Sequence, residues 1–364
     1  MVDTLPDIAR KGRGAVSNGS GRFEPHARIK IDDGWNTAVA DDDLPPLRTT
    51  VTDEHPKSVI TRNQSPDIPF DRSLNPYRGC EHGCVYCFAR PTHAYQGLSA
   101  GLDFETKLFA KPDAAKLLAD ELRKPGYKPA TLAMGTNTDP YQPIEKKRGI
   151  TRAVLQVLAE CNHPVAIVTK SNLVLRDLDI LGTMAKKGLV SVAVSVTSLD
   201  PVLARRLEPR ATTPAKRLDA IAGLSGAGVP VSVMVAPVIP AINDHEIEAI
   251  LDAAAGAGAG AAEYILLRLP GEVRGLFAEW LEAHYPDRAK RALGRMAGHR
   301  DGKLYEAQWG KRMTGEGSDA ELLARRFQIA VKRLGLGRER AGSRRLVSAE
   351  FRPPVRAGDQ LSLF

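Results

Sequence analysis

Three cysteines lie within eight residues of one another and constrain this chain more than any other feature. Cys80, Cys84 and Cys87 follow a C-x₃-C-x₂-C spacing, with the aromatic Tyr86 directly before the third cysteine. Thiolates this close in sequence can bind one metal centre. A cubane [4Fe–4S] cluster has four irons, so three cysteines leave one iron open to a further ligand. Such an iron can bind the amino and carboxylate groups of S-adenosylmethionine, which is then cleaved reductively.

A structural zinc site is the alternative interpretation of the same cysteines. Zinc sites use four ligands and mostly C-x₂-C pairs, and the fourth cysteine, Cys161, lies far along the chain. His82 or His93 could complete a tetrahedron, but the C-x₃-C spacing favours the iron–sulfur cluster. A secreted disulfide framework is favoured least, because three of the four cysteines lie close together, which suits metal binding in a reducing cytosol better. Cys161, near the end of a predicted helix, is expected to be a buried apolar residue.

Length and composition predict a protein with a large core and no membrane segment. The chain of 364 residues is 43% hydrophobic, enough for one large core or two modest ones. Residues 1–34 lack the apolar segment of a signal peptide, and no apolar run reaches the length of a membrane span. The sequence therefore predicts a cytoplasmic protein. Its net charge of +8 favours polyanionic partners, but it fits a solvated basic surface equally well.

Beyond residue 65 the chain alternates short β-branched runs with helical patterns, which predicts parallel β/α units. Six strands are too few for a closed eight-unit barrel, so the predicted fold is an α/β partial (βα)6 barrel. Ligands of parallel α/β folds bind at the C-terminal ends of strands, and the cysteines follow the first predicted strand. The predicted strands are 73–77, 131–134, 165–169, 190–196, 231–235 and 264–267, and the predicted helices are 113–123, 149–160, 175–187, 214–224 and 244–255.

Four segments are predicted along the chain. Residues 1–65 are poor in large apolar side chains and are expected to form an extended, partly disordered arm. Residues 66–270 form the partial barrel that carries the cysteines. Residues 271–334 form a helical extension, and residues 335–364 a basic, flexible tail.

Three sequence runs resemble a known family. Residues 75–90, 135–143 and 169–171 are similar to radical S-adenosylmethionine (radical SAM) enzymes, specifically the branch related to spore photoproduct lyase. The similarity extends from about residue 62 to about residue 327. The cysteine motif is specific for the superfamily, whereas the other runs point to a subgroup whose reaction the resemblance does not supply.

The resemblance implies a set of cofactor ligands at the strand ends. Residues after the second strand would hold the methionyl amino group, and a glycine there permits close approach of a ligand to the backbone. A lysine after the third strand and an arginine would bind the carboxylate, and residues at the end of the fourth strand would face the ribose. In that order, the predicted ligands are Gly135, Thr136 and Asn137; Lys170 and Arg210; and Ser195 and Thr197. A plain turn or a solvated strand end is the alternative for each.

The chain departs from the lyase in one respect. The lyase uses a cysteine near the end of the second strand as a hydrogen-atom donor, but residues 133–141 contain no cysteine here. Tyr141 is a candidate donor in that segment. The departure argues against thymine-dimer reversal and leaves the catalytic residues unassigned.

The chain ends in a short motif that resembles a docking peptide. The residues are similar to the peptide by which bacterial repair polymerases and mismatch-repair proteins bind the sliding clamp, with leucine and phenylalanine as apolar anchors. Docking of this kind would raise the local concentration of the protein on DNA. A tail that folds back on its own domain is the alternative. The motif consists of Gln360, Leu361, Ser362, Leu363 and Phe364.

The sequence thus predicts a radical SAM enzyme with a [4Fe–4S] cluster, S-adenosylmethionine and an external electron donor. It would begin catalysis by abstracting a hydrogen atom, with nucleic acid as the leading substrate class and DNA repair or nucleic-acid modification as the setting. One alternative places the same chemistry on a protein or small metabolite. The other is a zinc-stabilised, non-catalytic factor associated with DNA or the clamp.

Overall fold

The computed structural model describes residues 9–27, 47–337 and 346–355. The motif at residues 360–364 lies outside the described residues. Ten strands are present within these ranges: β1 (Thr50–Asp53), β2 (Ile60–Arg62), β3 (Arg72–Leu74), β4 (Tyr77–Arg78), β5 (Lys107–Ala110), β6 (Leu132–Met134), β7 (Val165–Thr169), β8 (Val190–Ser195), β9 (Val231–Val238) and β10 (Ala261–Leu266).

The same ranges contain eleven α-helices, most of which connect consecutive parallel strands. They are α1 (Leu102–Thr106), α2 (Ala114–Leu122), α3 (Glu145–Arg148), α4 (Ile150–Glu160), α5 (Leu178–Lys186), α6 (Pro201–Leu207), α7 (Pro214–Gly226), α8 (Ile247–Gly256), α9 (Val273–His284), α10 (Pro286–Gly298) and α11 (Ser318–Arg333). No helix in the described part of the chain is long and apolar enough to cross a membrane.

Six parallel strands form the predicted partial barrel. The sheet order is β10-β9-β8-β7-β6-β3-β2, and only β2 runs antiparallel to its neighbour. Strands β7, β8 and β9 are rich in valine because helices cover one face and the barrel interior covers the other. Within the described ranges the sheet does not close, since β10 and β2 have no partner strand there on their outer sides. The predicted fold class is confirmed.

The predicted strand at 73–77 is wrong, because the structure divides it into two strands in different sheets. Strand β3 pairs with β6 in the large sheet, whereas β4 pairs with β5 in a small sheet of order β1-β5-β4. Pro76 between them has no N–H to donate to a ladder. The side chain of Asn75 instead accepts hydrogen bonds from the backbone of Asn137 (3.1 Å) and Thr138 (3.4 Å). The cysteines consequently follow β4.

The described part of the predicted arm packs on the barrel and contains two short strands. Strand β1 adds to the small sheet beside β5, and β2 forms one edge of the large sheet. Residues 9–27 contain no helix, and residues 13–17 within them are buried. The sequence did not predict β1, β2 or β5, because each has only three or four residues and depends on partners distant in the chain.

Residues 346–355, here called the strap, lie across the N-terminal ends of the barrel strands. The backbone N–H of Val347 donates to Gly188 (3.0 Å), and that of Arg352 donates to Cys161 (2.9 Å). The guanidinium of Arg123, at the end of α2, donates to the carbonyl of Pro354 (2.9 Å). This part of the predicted flexible tail is therefore held against the barrel. The face that it covers, here called the far face, is opposite the C-terminal strand ends, here called the mouth.

Candidate functional site

The cysteine loop, residues 79–90, lies at the mouth. Cys80 and Cys84 are buried, and Cys87 is partly exposed. The loop is held by backbone hydrogen bonds from Cys80 to Phe104 (2.9 Å) and from Val85 to Leu207 (3.1 Å). Val85 also packs in an apolar core built largely from α6, α9 and α10. The three thiols are thus fixed from two sides.

A buried ion pair joins the cysteine loop to the N-terminal segment. Arg90 has no exposed surface and donates to the carbonyls of Gly83 (3.1 Å) and Cys84 (2.8 Å) and to Glu105 (2.5 Å). The same carboxylate accepts backbone hydrogen bonds from Gly14 and Ala15, both at 2.9 Å. A Cβ on Gly14 would lie 1.8 Å from the carbonyl oxygen of Gly83. The N-terminal segment therefore forms a wall of the cysteine site.

The turn after β6 also contacts the cysteine loop. The buried side chain of Gln142 accepts from the N–H of Glu81 (3.0 Å) and donates to the carbonyl of Gly79 (3.2 Å). Gly135 has a φ of +86°, and a Cβ there would lie 2.0 Å from the carbonyl oxygen of Val168. Glycine is therefore required at this position by the neighbouring strand. Its predicted contact with the cofactor stays a prediction.

Thr136 and Asn137, the other two predicted ligands on this turn, are partly exposed at the mouth. Asn75 holds both of them, because its amide donates to the hydroxyl of Thr136 (3.2 Å) and its carbonyl accepts from the backbone of Asn137. Side-chain oxygens placed here can accept hydrogen bonds from an ammonium group. The sequence did not identify Asn75 as the residue that organises this turn.

Asp139 connects the turn after β6 to the end of β7. It accepts hydrogen bonds from the hydroxyl of Thr169 (2.7 Å) and the N–H of Lys170 (2.8 Å), and His82 Nδ1 lies 3.3 Å from its Oδ2. Burial alone would raise the pKa of Asp139, but His82 and these hydrogen bonds lower it to about 2. The carboxylate is therefore charged and keeps the predicted ligand Lys170 in place.

A buried charged group lies next to Cys84. Glu208 accepts from Arg217, from Tyr86 and from the hydroxyl of Thr197 (2.6 Å). Burial would raise the pKa of Glu208, but Arg217 and Lys170 lower it to about 2. Glu208 and Arg217 are separated by nine residues across a turn, and no pattern in the sequence pointed to the pair.

Lys170 belongs to the same charged group. Its ammonium lies 5.9 Å from the centre of the Tyr86 ring. Burial would lower the pKa of Lys170, but the Cys84 thiolate and Glu208 raise it. The structure thus brings Lys170 next to the cysteine loop, and the ammonium can bind a carboxylate at the mouth.

Ser195 and Thr197, the predicted ribose contacts, are both buried. The carbonyl of Ser195 accepts from Arg217 (3.1 Å), and the hydroxyl of Thr197 contacts Glu208 and the carbonyl of Ala236 (3.1 Å). The observed contacts of Thr197 stabilise Glu208. Contact of either residue with a ribose stays a prediction.

Arg210, the second predicted carboxylate ligand, lies on the other side of the cysteine loop. Its guanidinium forms an ion pair with Glu81 (3.0 Å), its backbone donates to His82 (3.2 Å), and 40% of its side chain is exposed. Glu81 also accepts from Thr49 (2.7 Å). Any carboxylate that binds Arg210 must therefore compete with Glu81.

Tyr141, the candidate hydrogen-atom donor, is wrongly placed for that role. It has 1% of its surface exposed and packs in the main apolar core, with the Arg176 guanidinium 6.0 Å from the centre of its ring. Its hydroxyl therefore points into the protein and away from any substrate at the mouth.

The two histidines that could complete a zinc site with the cysteines have other contacts. No three Cys, His, Asp or Glu side chains in the described ranges converge so that they could share one metal ion. His82 contacts Asp139, and His93 packs between Phe104 and Phe109 (5.5 and 6.1 Å between ring centres).

The electrostatics of the thiols also fit a metal cluster. Burial, with Glu208 next in importance, raises the pKa of Cys84 to about 12, and burial with Asp139 also raises the pKa of Cys80. Two thiolates here would be costly unless a positively charged group compensates them. The residues that would hold the cluster are Cys80, Cys84 and Cys87.

Comparison with known proteins identifies the family. The model of the Radical SAM superfamily matches residues 74–254, which include the cysteine loop and strands β6 to β9. The chain belongs to the radical SAM superfamily. Members of this superfamily bind a [4Fe–4S] cluster and S-adenosylmethionine.

The sequence relatives are uncharacterized proteins. One from Mycobacterium tuberculosis is 41% identical over 226 residues, which is 62% of this chain and 66% of the relative. Another from Methanocaldococcus jannaschii is 28% identical over 173 residues, which is 48% of this chain and 62% of the relative. The match thus spans just under two thirds of each relative.

The solved structures support the fold. A spore photoproduct lyase variant with bound AdoMet and dinucleoside spore photoproduct is 17% identical, with a TM-score of 0.55 over 79% of this chain and 80% of that one. A spore photoproduct lyase complexed with dinucleoside spore photoproduct is 16% identical with the same TM-score and coverage. The resemblance stated from the sequence is confirmed at the level of fold.

Proposed function

We propose that this chain is a radical SAM enzyme that acts on nucleic acid. The observation that carries the proposal is the position of the cysteine loop. Its three thiols lie at the C-terminal ends of parallel strands, next to the buried charges of Lys170 and Glu208. Parallel α/β folds bind their ligands at this end.

The cluster and S-adenosylmethionine, when bound, supply an adenosyl radical that abstracts a hydrogen atom from the substrate. Cys80, Cys84 and Cys87 hold the cluster. Lys170 offers an ammonium to the methionyl carboxylate, because Asp139 and Glu208 fix its position and keep it charged. An external donor supplies the electron.

Residues on both sides of the cysteine loop complete the proposed cofactor site. Gly135 to Asn137 present backbone and side-chain oxygens to the methionyl amino group. Ser195 and Thr197 lie beside the ribose, and Arg210 offers a second positive charge to the carboxylate once its ion pair with Glu81 is broken. The cysteine loop, which the N-terminal segment and Gln142 fix in place, excludes water from the buried thiols.

Nucleic acid is the proposed substrate for two reasons. The fold is similar to that of a lyase whose structure contains a dinucleoside, and the chain has a net charge of +8. The proposed reaction is a modification or repair step other than the lyase reaction, since residues 133–141 contain no cysteine and Tyr141 is buried.

We also propose that residues 360–364 bind a sliding clamp. The motif follows the strap, which fixes Val355 on the far face through Arg123. Deletion of residues 360–364 should abolish clamp binding in a pull-down with purified clamp, and unchanged affinity would reject this docking mode.

Anaerobic reconstitution tests the enzymatic proposal. Wild-type protein should take up iron and sulfide and, once reduced, convert S-adenosylmethionine to 5′-deoxyadenosine. Cys84→Ala should lose both properties, whereas Cys161→Ala is the matched control, because this buried cysteine lies on the far face. Uptake of zinc without iron and sulfide would reject the radical chemistry.

The substrate class needs a separate measurement. Single-stranded or damaged DNA or RNA should increase the rate of 5′-deoxyadenosine formation. An increase with peptides or small metabolites, and none with nucleic acid, would instead assign the same chemistry to another substrate.

A further inference from the structure

Two arginines at the end of β10 have no carboxylate partner within the described residues. Arg268 lies two residues after the last residue of the strand, and its guanidinium carbon lies 4.8 Å from the ring centre of Phe88, the residue after Cys87. Arg300 is buried and donates to the carbonyl of Leu267 (2.6 Å), while its Nε has no hydrogen-bond partner. Their neighbour Arg312, by contrast, forms an ion pair with Asp67 (2.5 Å).

These two guanidinium groups lie in an unfavourable electrostatic environment. Burial lowers the pKa of Arg268, and Arg312 lowers it further, against weaker effects of Tyr305, Asp67 and the Cys87 thiolate. Burial and then Arg268 lower the pKa of Arg300, and Glu306 opposes them. Buried charges without a partner of opposite charge are costly. An anion that binds next to Arg268 and Arg300 would therefore lower this cost.

Phe88 indicates what kind of anion the site suits. Its side chain is 47% exposed although it follows a cluster cysteine. The guanidinium of Arg268 lies over the ring of Phe88, and the exposed surface of the ring can stack against a nucleobase. A guanidinium forms two parallel hydrogen bonds to a phosphate, so a phosphate and its adjoining base fit this pair of side chains together.

The geometry points to an anion-binding subsite centred on Arg268, which takes a phosphodiester group of the substrate beside the cysteine loop. This assignment rests on the proposed nucleic-acid substrate. Phe88 orients the guanidinium of Arg268. Arg300 contributes positive charge and holds the carbonyl of Leu267, and so fixes the end of β10.

Binding to a charged and an uncharged oligonucleotide tests the subsite. The probes are a short single-stranded oligothymidylate and its methylphosphonate analogue, which has no backbone charge. Full-length reconstituted protein should prefer the charged probe, and Arg268→Gln should weaken its binding about tenfold, the equivalent of one charge-assisted hydrogen bond. Arg268→Lys should retain part of the preference because the positive charge remains.

Arg333→Gln is the matched control, since that arginine pairs with Asp252 on the outer helices and should leave the preference intact. Equal binding of both probes by wild type, or an unchanged preference in a folded Arg268→Gln, would overturn the subsite. Tighter binding of an aspartate-rich peptide, lost in Arg268→Gln, would overturn the phosphodiester assignment.

Cleavage of S-adenosylmethionine, measured in parallel, separates this inference from the proposed function. A preference for the charged probe that depends on Arg268 supports the subsite, whether or not wild type forms 5′-deoxyadenosine. Absence of 5′-deoxyadenosine would reject the radical chemistry and leave the subsite standing.

Discussion

The two ends of the barrel are held by different forces. At the mouth, two ion pairs are buried on both sides: Arg90 with Glu105, and Arg217 with Glu208. At the far face, backbone hydrogen bonds of the strap and the rings of Tyr127, His163 and Phe351 close the structure. Removing one partner of a buried ion pair leaves an uncompensated charge, which is costly. Removing one ring or one backbone hydrogen bond costs less free energy of unfolding. The mouth should therefore respond to single changes much more strongly than the far face.

The largest effect is expected for Glu208→Ala, which leaves Arg217 buried without its partner. Breaking a buried ion pair on one side costs about 3–5 kcal/mol, and urea unfolding of the variant should show a loss of this size. Asp252→Ala breaks the exposed pair with Arg333 and should cost less than about 1 kcal/mol. A similar cost for both variants would remove the proposed difference between the mouth and a surface pair.

The next effect is a dependence of stability on pH, to which His163 at the far face contributes. Burial lowers the pKa of His163 to about 4, so the unfolded chain binds a proton that the folded chain does not. His163 should therefore destabilise the protein as pH falls from about 6.5 to 4, by up to about 3 kcal/mol. His163→Gln should flatten this part of the stability profile, although His93, whose pKa burial also lowers to about 4, keeps its own share.

Carboxylates at the mouth act in a lower pH range. The pKa of Asp139 and that of Glu208 are both lowered to about 2, so their stabilisation is complete above about pH 4.5 and is lost as pH falls towards 2. If His163→Gln changed the profile below pH 4 and left the range from 6.5 to 4 unaltered, the assignment of these two ranges would be wrong.

A smaller effect is expected for Gly14→Ala, which tests the wall of the cysteine site. The added Cβ would collide with the carbonyl oxygen of Gly83, and crowding of this kind costs about 1–3 kcal/mol. The N-terminal segment should move away, and reconstituted protein should lose iron faster when exposed to a chelator. Gly19→Ala is the matched control, because nothing lies within 4 Å of its added Cβ. Equal rates of iron loss would show that the wall does not protect the site.

The smallest effect is expected for Phe351→Ala on the strap. The ring lies 5.6 Å from both Tyr127 and His163, and loss of these contacts should lower the free energy of unfolding by about 1–2 kcal/mol. Iron content should match wild type, since the strap lies opposite the cysteine loop. Reduced iron content in a stably folded variant would show that the two ends are coupled.

The sequence predicted the barrel well because its strands are buried on both faces. Residues 165–169 were predicted with the observed ends, since a short run in which four of five residues are β-branched strongly favours a strand. The strand at 73–77 was predicted wrongly, because Pro76 and the bonds of Asn75 divide it. Strands β1 and β5 were missed since each is stabilised by the other, across more than fifty residues of chain.

The candidate site was predicted only in part, for a related reason. The cysteine spacing is a local signal and identified the loop directly. The ion pairs that hold the loop, of Arg90 with Glu105 and of Arg217 with Glu208, join residues in turns and short helices without a periodic pattern. Only the folded chain brings them together, so their roles could not be predicted from residue type and spacing.

The strap has a practical consequence for experiments on this protein. Arg123 holds Pro354 and Val355 on the far face, opposite the cysteine loop. Gly14, by contrast, packs against Gly83 of the loop itself. A label attached at Val355 should therefore leave the mouth facing solution, whereas a bulky group at residue 14 would disturb the cysteine loop.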